Sequence, residues 1–271
     1  MIKVELKDGS ILEVEQGSRI IDVAKKISEG LARNTTAGRI NGKVKDLRYE
    51  INEDCKLEIL TFNDLDGKKA YWHTTSHVMA QAVKRLFPEA KIAIGPAIDE
   101  GFYYDFDVEK PFTDEDKENI EKEMKKIIKE NIPIERFSLP RNEALELMKD
   151  EPYKVELIND LPEGEEISFY KQGDFTDLCA GPHLESTGKL KSVKILKSSG
   201  AYWRGSEKNK MLQRIYAISF PKASELEEYM NMLEEAKQRD HRKLGKELGI
   251  FMTDDLVGKG LPMYLPNGYV I

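Results

Sequence analysis

Residues 71–87 read YWHTTSHVMAQAVKRLF, and this stretch constrains the chain more than any other. Val78, Ala82 and Leu86, with Met79, Val83 and Phe87 beside them, recur at the period of an α-helix. His73 and His77 fall one turn apart near its start, so both imidazoles share a face. Far downstream, DLCAGPHL presents Cys179 and His183, again four apart. The chain has 4 histidines and 2 cysteines, and these two stretches hold three of the former and one of the latter. Scarce, chemically versatile residues concentrated in this way predict one site assembled from distant segments.

The length of 271 residues suits two domains and a smaller addition. No apolar run approaches the ~20 residues of a membrane helix, and MIKVELKDGS lacks the apolar core of a signal peptide. Cys55 and Cys179 are too few and too far apart for a disulfide framework, which points to a reducing, cytoplasmic setting. A net charge of −7 excludes indiscriminate nucleic-acid binding, so any such contact must use a local basic patch.

Taken in order, residues 1–62 alternate as two hairpins around one helix, a β-grasp pattern. Asp8-Gly9 and Asn41-Gly42 mark the turns, Ser18 is the expected helix cap and Gly30 its end. NDLDGKK, residues 63–69, reads as a linker. Residues 63–224 form the second domain, with strands near 91–94, 102–106, 132–137, 167–171, 193–196 and 211–220. Thr113 opens a helix there, and shorter helices follow at 141–150 and after Pro152. Residues 225–249 read as one charged linker helix, on which His241 is expected to be exposed. Residues 250–271 read as the start of a further, truncated domain. The fold class is therefore α+β: a small β-grasp domain, a larger α+β domain with a mostly antiparallel sheet, and a linker helix.

Alone, His73 and His77 are as well explained by a helix carrying two satisfied histidines. Alone, Cys179 reads as a small buried hydrophobe. Together the four groups offer three nitrogens and one sulfur, a set suited to tetrahedral zinc. Without metal, the same groups could hold a polar substrate and a hydrolytic water. Asp177 shares a strand face with Cys179 if the segment is extended. Lys154, after a Pro-Tyr turn, could offer its charge to an oxyanion. Lys197, Tyr202, Trp203, Arg204, Lys208 and Lys210 lie in a basic run (with Lys189, Lys191, Lys194 and Arg214) whose aromatics suit a nucleic-acid end. No Walker loop, GxGxxG or CxxC pair is present.

HTTSHVMAQAVKRLFP, IGPAIDEGFYYDFD, DFTDLCAGPHL, YWRGSEKNKMLQRIYAISF and RDHRKLGKELGIF are similar, in order, to segments of the threonyl-tRNA synthetase family. The chain resembles that family's N-terminal half over essentially its whole length. The resemblance implies a TGS domain at 1–62, an editing domain at 63–224 and entry into a class II catalytic domain at the tail. It also implies that the ATP site and catalytic zinc ligands lie beyond Ile271, so that this polypeptide would edit without aminoacylating. The implied reaction is hydrolysis of seryl-tRNA(Thr), because one methyl supplies only ~1–3 kcal/mol of discrimination in a binding pocket.

His73, His77, Lys154, Asp177, Cys179 and His183 match the editing motifs, with Tyr104 and Gly95 as substrate-binding positions. On that basis Lys154 and His73 position and activate the attacking water, and Cys179 shapes the pocket. No cofactor is expected for editing. The related alanyl-tRNA editing domain binds zinc through similar motifs, which here would be His73, His77, Cys179 and His183. A zinc hydrolase and a non-catalytic tRNA-binding module stand as alternatives. The expected partner is the tRNA(Thr) acceptor end carrying serine, with no membrane. Family members are homodimers through domains absent here. The geometric expectation is that the four ligand-type residues meet in one cleft, with Lys154 and Asp177 at its wall.

Overall fold

The computed structural model describes residues 1–239, 241–253, 258 and 261–269. Residues 1–222 form one compact unit and residues 223–271 another.

The first unit opens with strands β1 (Ile2–Leu6) and β2 (Ile11–Val14), joined by the expected tight turn. A two-residue strand, β3 (Ser18–Arg19), precedes helices α1 (Ile20–Ile27) and α2 (Glu29–Asn34). Strands β4 (Thr35–Ile40), β5 (Lys43–Lys45), β6 (Glu50–Ile51) and β7 (Cys55–Thr61) complete this part. The main sheet runs β2-β1-β7-β4-β5, with β1 and β7 parallel and the other pairs antiparallel. The β-grasp reading thus stands, with two local differences. Ser18 pairs with Ile51 in a short ladder, so the cap of α1 falls on Arg19, whose amide donates to the Asp22 carboxylate. Gly30 lies inside α2 rather than ending α1, because the Ser28 hydroxyl caps a second helix by accepting from Leu31 N at 3.0 Å. Ile20, Ile21, Val23 and Ala24 fill the core against Val4, Leu57 and Ile51.

The expected linker is instead the first turn of α3 (Leu65–Leu86). The Asp64 carboxylate accepts from Thr61 N at 2.8 Å and from its hydroxyl at 3.1 Å, fixing the junction. Gly67 presses on β7: a Cβ there would lie 2.0 Å from the Thr61 carbonyl oxygen. Turn-forming composition therefore served a tight entry into a helix rather than a flexible spacer. His73 and His77 sit mid-helix.

Most of α3 from Ala70 to Val83 is buried, polar residues included. Most of those polar groups are paired, as burial demands, with His77 Nδ1 the exception. The Thr74 and Thr75 hydroxyls donate to Ala70 O and Tyr71 O, and Ser76 to Gly95 O at 2.6 Å. Gln81 bridges to Gln172 O and Asp174.

Around α3 run β8 (Lys91–Ile92), β9 (Ala97–Ile98), β10 (Gly101–Asp107), α4 (Asp114–Glu130), β11 (Ile134–Leu139), α5 (Arg141–Leu147) and α6 (Pro152–Asp160). Then come β12 (Ile167–Gln172), β13 (Phe175–Leu178), β14 (Ser192–Tyr202) and β15 (Met211–Phe220). One antiparallel sheet runs β14-β15-β10-β8, with β9 on β10; a second runs β11-β12-β13. Thr113 caps α4 as expected, its hydroxyl accepting from Asp116 N. Alternation in β10 turns Phe102, Tyr104 and Phe106 into the core, each fully buried.

The second unit contains α7 (Ala223–Gln238), α8 (His241–Glu247), and β16 (Phe251–Thr253) paired with β17 (Pro262–Tyr264). The charged segment thus forms two helices among the described residues, and Gly249 closes the second at φ +61°. The expected exposure of His241 lies outside the described side chains. Among the described residues, no helix is long and apolar enough to cross a membrane.

Candidate active site

The two distant motifs meet. His73 and His77 project from α3, while β13 and the loop after it deliver Asp177, Cys179 and His183. The Cys179 amide donates to Ser168 O at 3.0 Å, prolonging the β12–β13 ladder. Asp177 and Cys179 therefore stay on one face, as a period of two requires. Cys179 Sγ lies 3.3 Å from His73 Nε2 and 3.2 Å from His183 Nε2, and Gly181 N donates to it at 3.2 Å. The rings of His73 and His77 stand 4.4 and 4.2 Å from that of His183.

Behind this cluster is a buried polar group that ties three elements together. Pro152 occupies the first turn of α6, which brings Lys154 inward. Lys154 Nζ lies 2.6 Å from Asp177 Oδ1, and it donates to the Tyr104 hydroxyl at 3.2 Å. Tyr104 in turn donates to Asp177 Oδ2 at 2.6 Å, and His77 Nε2 lies 3.5 Å from the same oxygen. Lys154 and Asp177 were expected on the cleft wall; both are instead sealed beneath it. Gly95 stands against the Tyr104 ring, its carbonyl held by Ser76.

Electrostatics follow from burial. Desolvation, reinforced by His77, drives the His73 ring down to about 3. His77 falls to about 4, again mainly by desolvation, and His183 falls well below its ordinary value. All three rings are neutral near pH 7. Burial pushes the Cys179 thiol up to about 12, so it is no thiolate nucleophile. Burial also pushes the Asp177 carboxyl up, but Lys154, then His77 and the Tyr104 hydroxyl, more than offset it and hold it low.

The cluster opens on a pocket of about 280 Å³ lined by Val44, Asp66, Lys69, Ala70, His73, Pro96, Ala97, Gly181 and Pro182. The sequence gives no sign of Lys69 at the pocket, because NDLDGKK reads as a linker. Nor does it point to Thr74, whose hydroxyl lies 3.3 Å from His183 Nδ1 and accepts from Leu184 N at 3.0 Å. A threonine among helical apolar residues carries no signal of such a contact.

The basic run is less open than its composition suggests. Trp203 is buried against Tyr153, with its indole N–H on Glu156, so it packs rather than offering a stacking face. Arg204 pairs with Glu156 and Asp160, Lys210 with Asp107, Lys194 with Glu121 and Arg214 with Asp105. Lys197 and Lys208 are exposed, and Lys197 lies over the Tyr216 ring. Tyr202 is exposed at the end of β14.

His73, His77, Cys179 and His183 place their ligand-type atoms within 4.8 Å of one another. His77 Nδ1 is buried with no hydrogen-bond partner. Three imidazole nitrogens and one sulfur at this spacing fit zinc, and that orphaned nitrogen is a ready donor.

Two family descriptions match the chain: the TGS domain over residues 2–61, and the "Threonyl and Alanyl tRNA synthetase second additional domain" over 167–216. The latter stretch contains Asp177, Cys179 and His183. The fold and its site thus define an aminoacyl-tRNA synthetase segment bearing a TGS domain and a threonyl/alanyl-type additional domain. The threonine–tRNA ligase of Clostridium perfringens is 66% identical over 268 residues, 99% of this chain and 42% of that protein. That of Acetivibrio thermocellus is 63% identical over 273 residues, 100% of this chain and 43% of that protein. The Clostridioides difficile enzyme is 63% identical over 270 residues, with 99% and 42% covered. The chain belongs to the threonine–tRNA ligase family and corresponds to its N-terminal region, spanning less than half the length of these relatives.

Proposed function

We propose that this region hydrolyses the ester linking serine to the 3′ end of tRNA(Thr). The observation that carries the reading is the neutral His73 imidazole, which lines a pocket and contacts Cys179 at 3.3 Å. In the proposed step, the ring accepts a hydrogen bond from a water in the pocket. The water oxygen bonds to the acyl carbon, the bond from that carbon to the ribose oxygen breaks, and the ribose oxygen takes up a proton. An imidazole held near 3 is a weak free base. It therefore takes the water's proton only as the new bond forms. Lys154 acts from beneath the site, fixing Asp177 and Tyr104 rather than touching the acyl group. Lys69, on the pocket wall, is placed for a phosphate of the acceptor end. Gly181 and Pro182 bound the space available to the amino-acid side chain, and Cys179 holds that turn by accepting from Gly181 N.

The Lys154–Asp177 pair supports a metal-free site, because its buried ammonium already balances the one carboxylate behind His77. The orphaned His77 Nδ1 favours a second reading, in which His73, His77, Cys179 and His183 hold zinc. Bound there, zinc would supply Lewis acidity and an acidified water. The deciding experiment is deacylation of seryl-tRNA(Thr) and threonyl-tRNA(Thr) by protein purified without an affinity tag, with and without a strong chelator. Serine release that survives the chelator, with threonine spared, supports the first reading. Loss of activity restored by zinc supports the second, and no release in any condition removes both.

A further inference from the structure

The backbone of His183 is held by the β-grasp part, which otherwise contributes only Val44 to the pocket lining described above. Asp46 and Arg48 lie between β5 and β6, in the β-grasp part. Asp46 Oδ1 accepts from Arg48 N and Nη1 at 2.9 and 2.8 Å, which locks the two side chains together. Asp46 Oδ2 then accepts from His183 N at 3.2 Å and from the Tyr170 hydroxyl at 3.0 Å. Arg48 donates Nη1 to His183 O at 3.3 Å and Nη2 to Leu184 O at 2.7 Å, and it also reaches Ile134 O. Both the N–H and the C=O of His183 are therefore bound to this pair.

The ring of His183 is held from the other side by Cys179 and Thr74. Tyr170, anchored by Asp46, packs on that ring with centroids 4.3 Å apart. Its hydroxyl also bars any side chain at Gly181: a Cβ there would lie 2.1 Å from it, and Gly181 has φ +75°. The loop from Cys179 to Leu184 is thus clamped between the β5–β6 connection on one side and α3 on the other.

We propose that Asp46 and Arg48 are positioning residues that set where His183 and Cys179 stand in the site. The catalytic consequence rests on the hydrolase reading; the placement of the loop does not. Charge-assisted hydrogen bonds hold geometry well, and a displacement near 1 Å in such a site costs ~10²-fold in rate. On this account the N-terminal domain is part of the active site's frame, rather than an appended RNA-binding module.

The test uses the full 271-residue chain with Asp46→Ala, Asp46→Asn, Arg48→Met and Arg48→Lys. Asparagine keeps an acceptor for the His183 amide, whereas lysine keeps the charge and loses the fork. We expect Asp46→Ala and Arg48→Met to slow single-turnover seryl-tRNA hydrolysis by ~10–100-fold. The dependence on tRNA concentration should not change. Asp46→Asn should recover part of the rate, since its oxygen still serves the His183 amide while its NH2 faces the Arg48 donors, and Arg48→Lys should recover little. Imidazole ¹⁵N resonances of His183 should move in the two damaging variants and return partway in Asp46→Asn. Folded variants with unchanged rate and unchanged His183 resonances overturn the proposal. If the wild-type chain releases no serine, the hydrolase reading falls, and the His183 resonances still decide whether this pair places the loop. Should Arg48→Met fail to fold, the alanine–asparagine comparison at Asp46 decides alone.

Discussion

Lys154 Nζ lies 2.6 Å from Asp177 Oδ1, with both side chains sealed from solvent beneath the histidine cluster. A buried ion pair of this kind is costly to break on one side, because the remaining charge has no solvent to relax into. Lys154→Met should destabilise the chain by ~3–5 kcal/mol. The double variant Lys154→Met/Asp177→Asn should cost less than the sum of the singles. Urea titrations of the three proteins check this, and strict additivity would show that the two groups do not depend on each other.

His73→Ala should leave the fold and tRNA binding intact while slowing deacylation by ~10²–10⁴-fold, the usual contribution of a positioned acid–base group. If the four ligand-type residues hold zinc, the same variant should instead lose metal and respond to added zinc. Metal content measured alongside single-turnover rates separates the cases.

Acid should destabilise this chain from an unusually high pH. His73 and His77 are held near 3 and 4 and His183 well below its ordinary value, against about 6.5 in the unfolded chain. Between those limits the unfolded state binds more protons, so stability falls as pH drops below about 6.5. It is flat above that value for these groups, and Asp177 adds a loss only below its unfolded value near 3.9. Denaturant midpoints from pH 8 to pH 4.5 check this. The rate should show no imidazole step between pH 5 and 8, in contrast to the rise expected from an unperturbed histidine. A titration near 6.5 in the rate would place the functional ring in a wetter setting.

Salt dependence of tRNA binding should report the exposed cations and pass over the paired ones. Lys197→Ala/Lys208→Ala should reduce the slope of log K against log salt by up to about 2. Arg204→Ala/Lys210→Ala should change it little, since their charges already face Glu156, Asp160 and Asp107. Filter-binding or anisotropy series at several salt concentrations distinguish the pairs.

What could be read from the sequence was whatever period or scarcity encodes. The hairpins around α1, the Thr113 cap and the convergence of His73, His77, Cys179 and His183 all follow from spacing or residue type. The depth of Lys154 and Asp177 did not, because a lysine beside a turn reads as solvated until three elements close over it. Trp203 and Arg204 misled for the converse reason: their partners Tyr153, Glu156 and Asp160 come from α6, remote in sequence. Asp46 and Arg48 carried no signal at all, being ordinary turn residues whose partners Tyr170, His183 and Leu184 lie far along the chain.

The Thr61–Asp64 lock and the contact at Gly67 also fix the angular phase of α3. Each residue of an α-helix turns it by roughly 100° and advances it 1.5 Å. Lengthening the junction by one residue would therefore either swing both imidazoles away from Cys179 or extrude a residue from the first turn. The count of residues between the last β-grasp strand and His73 acts as a gear ratio, and it sets the direction in which the site faces.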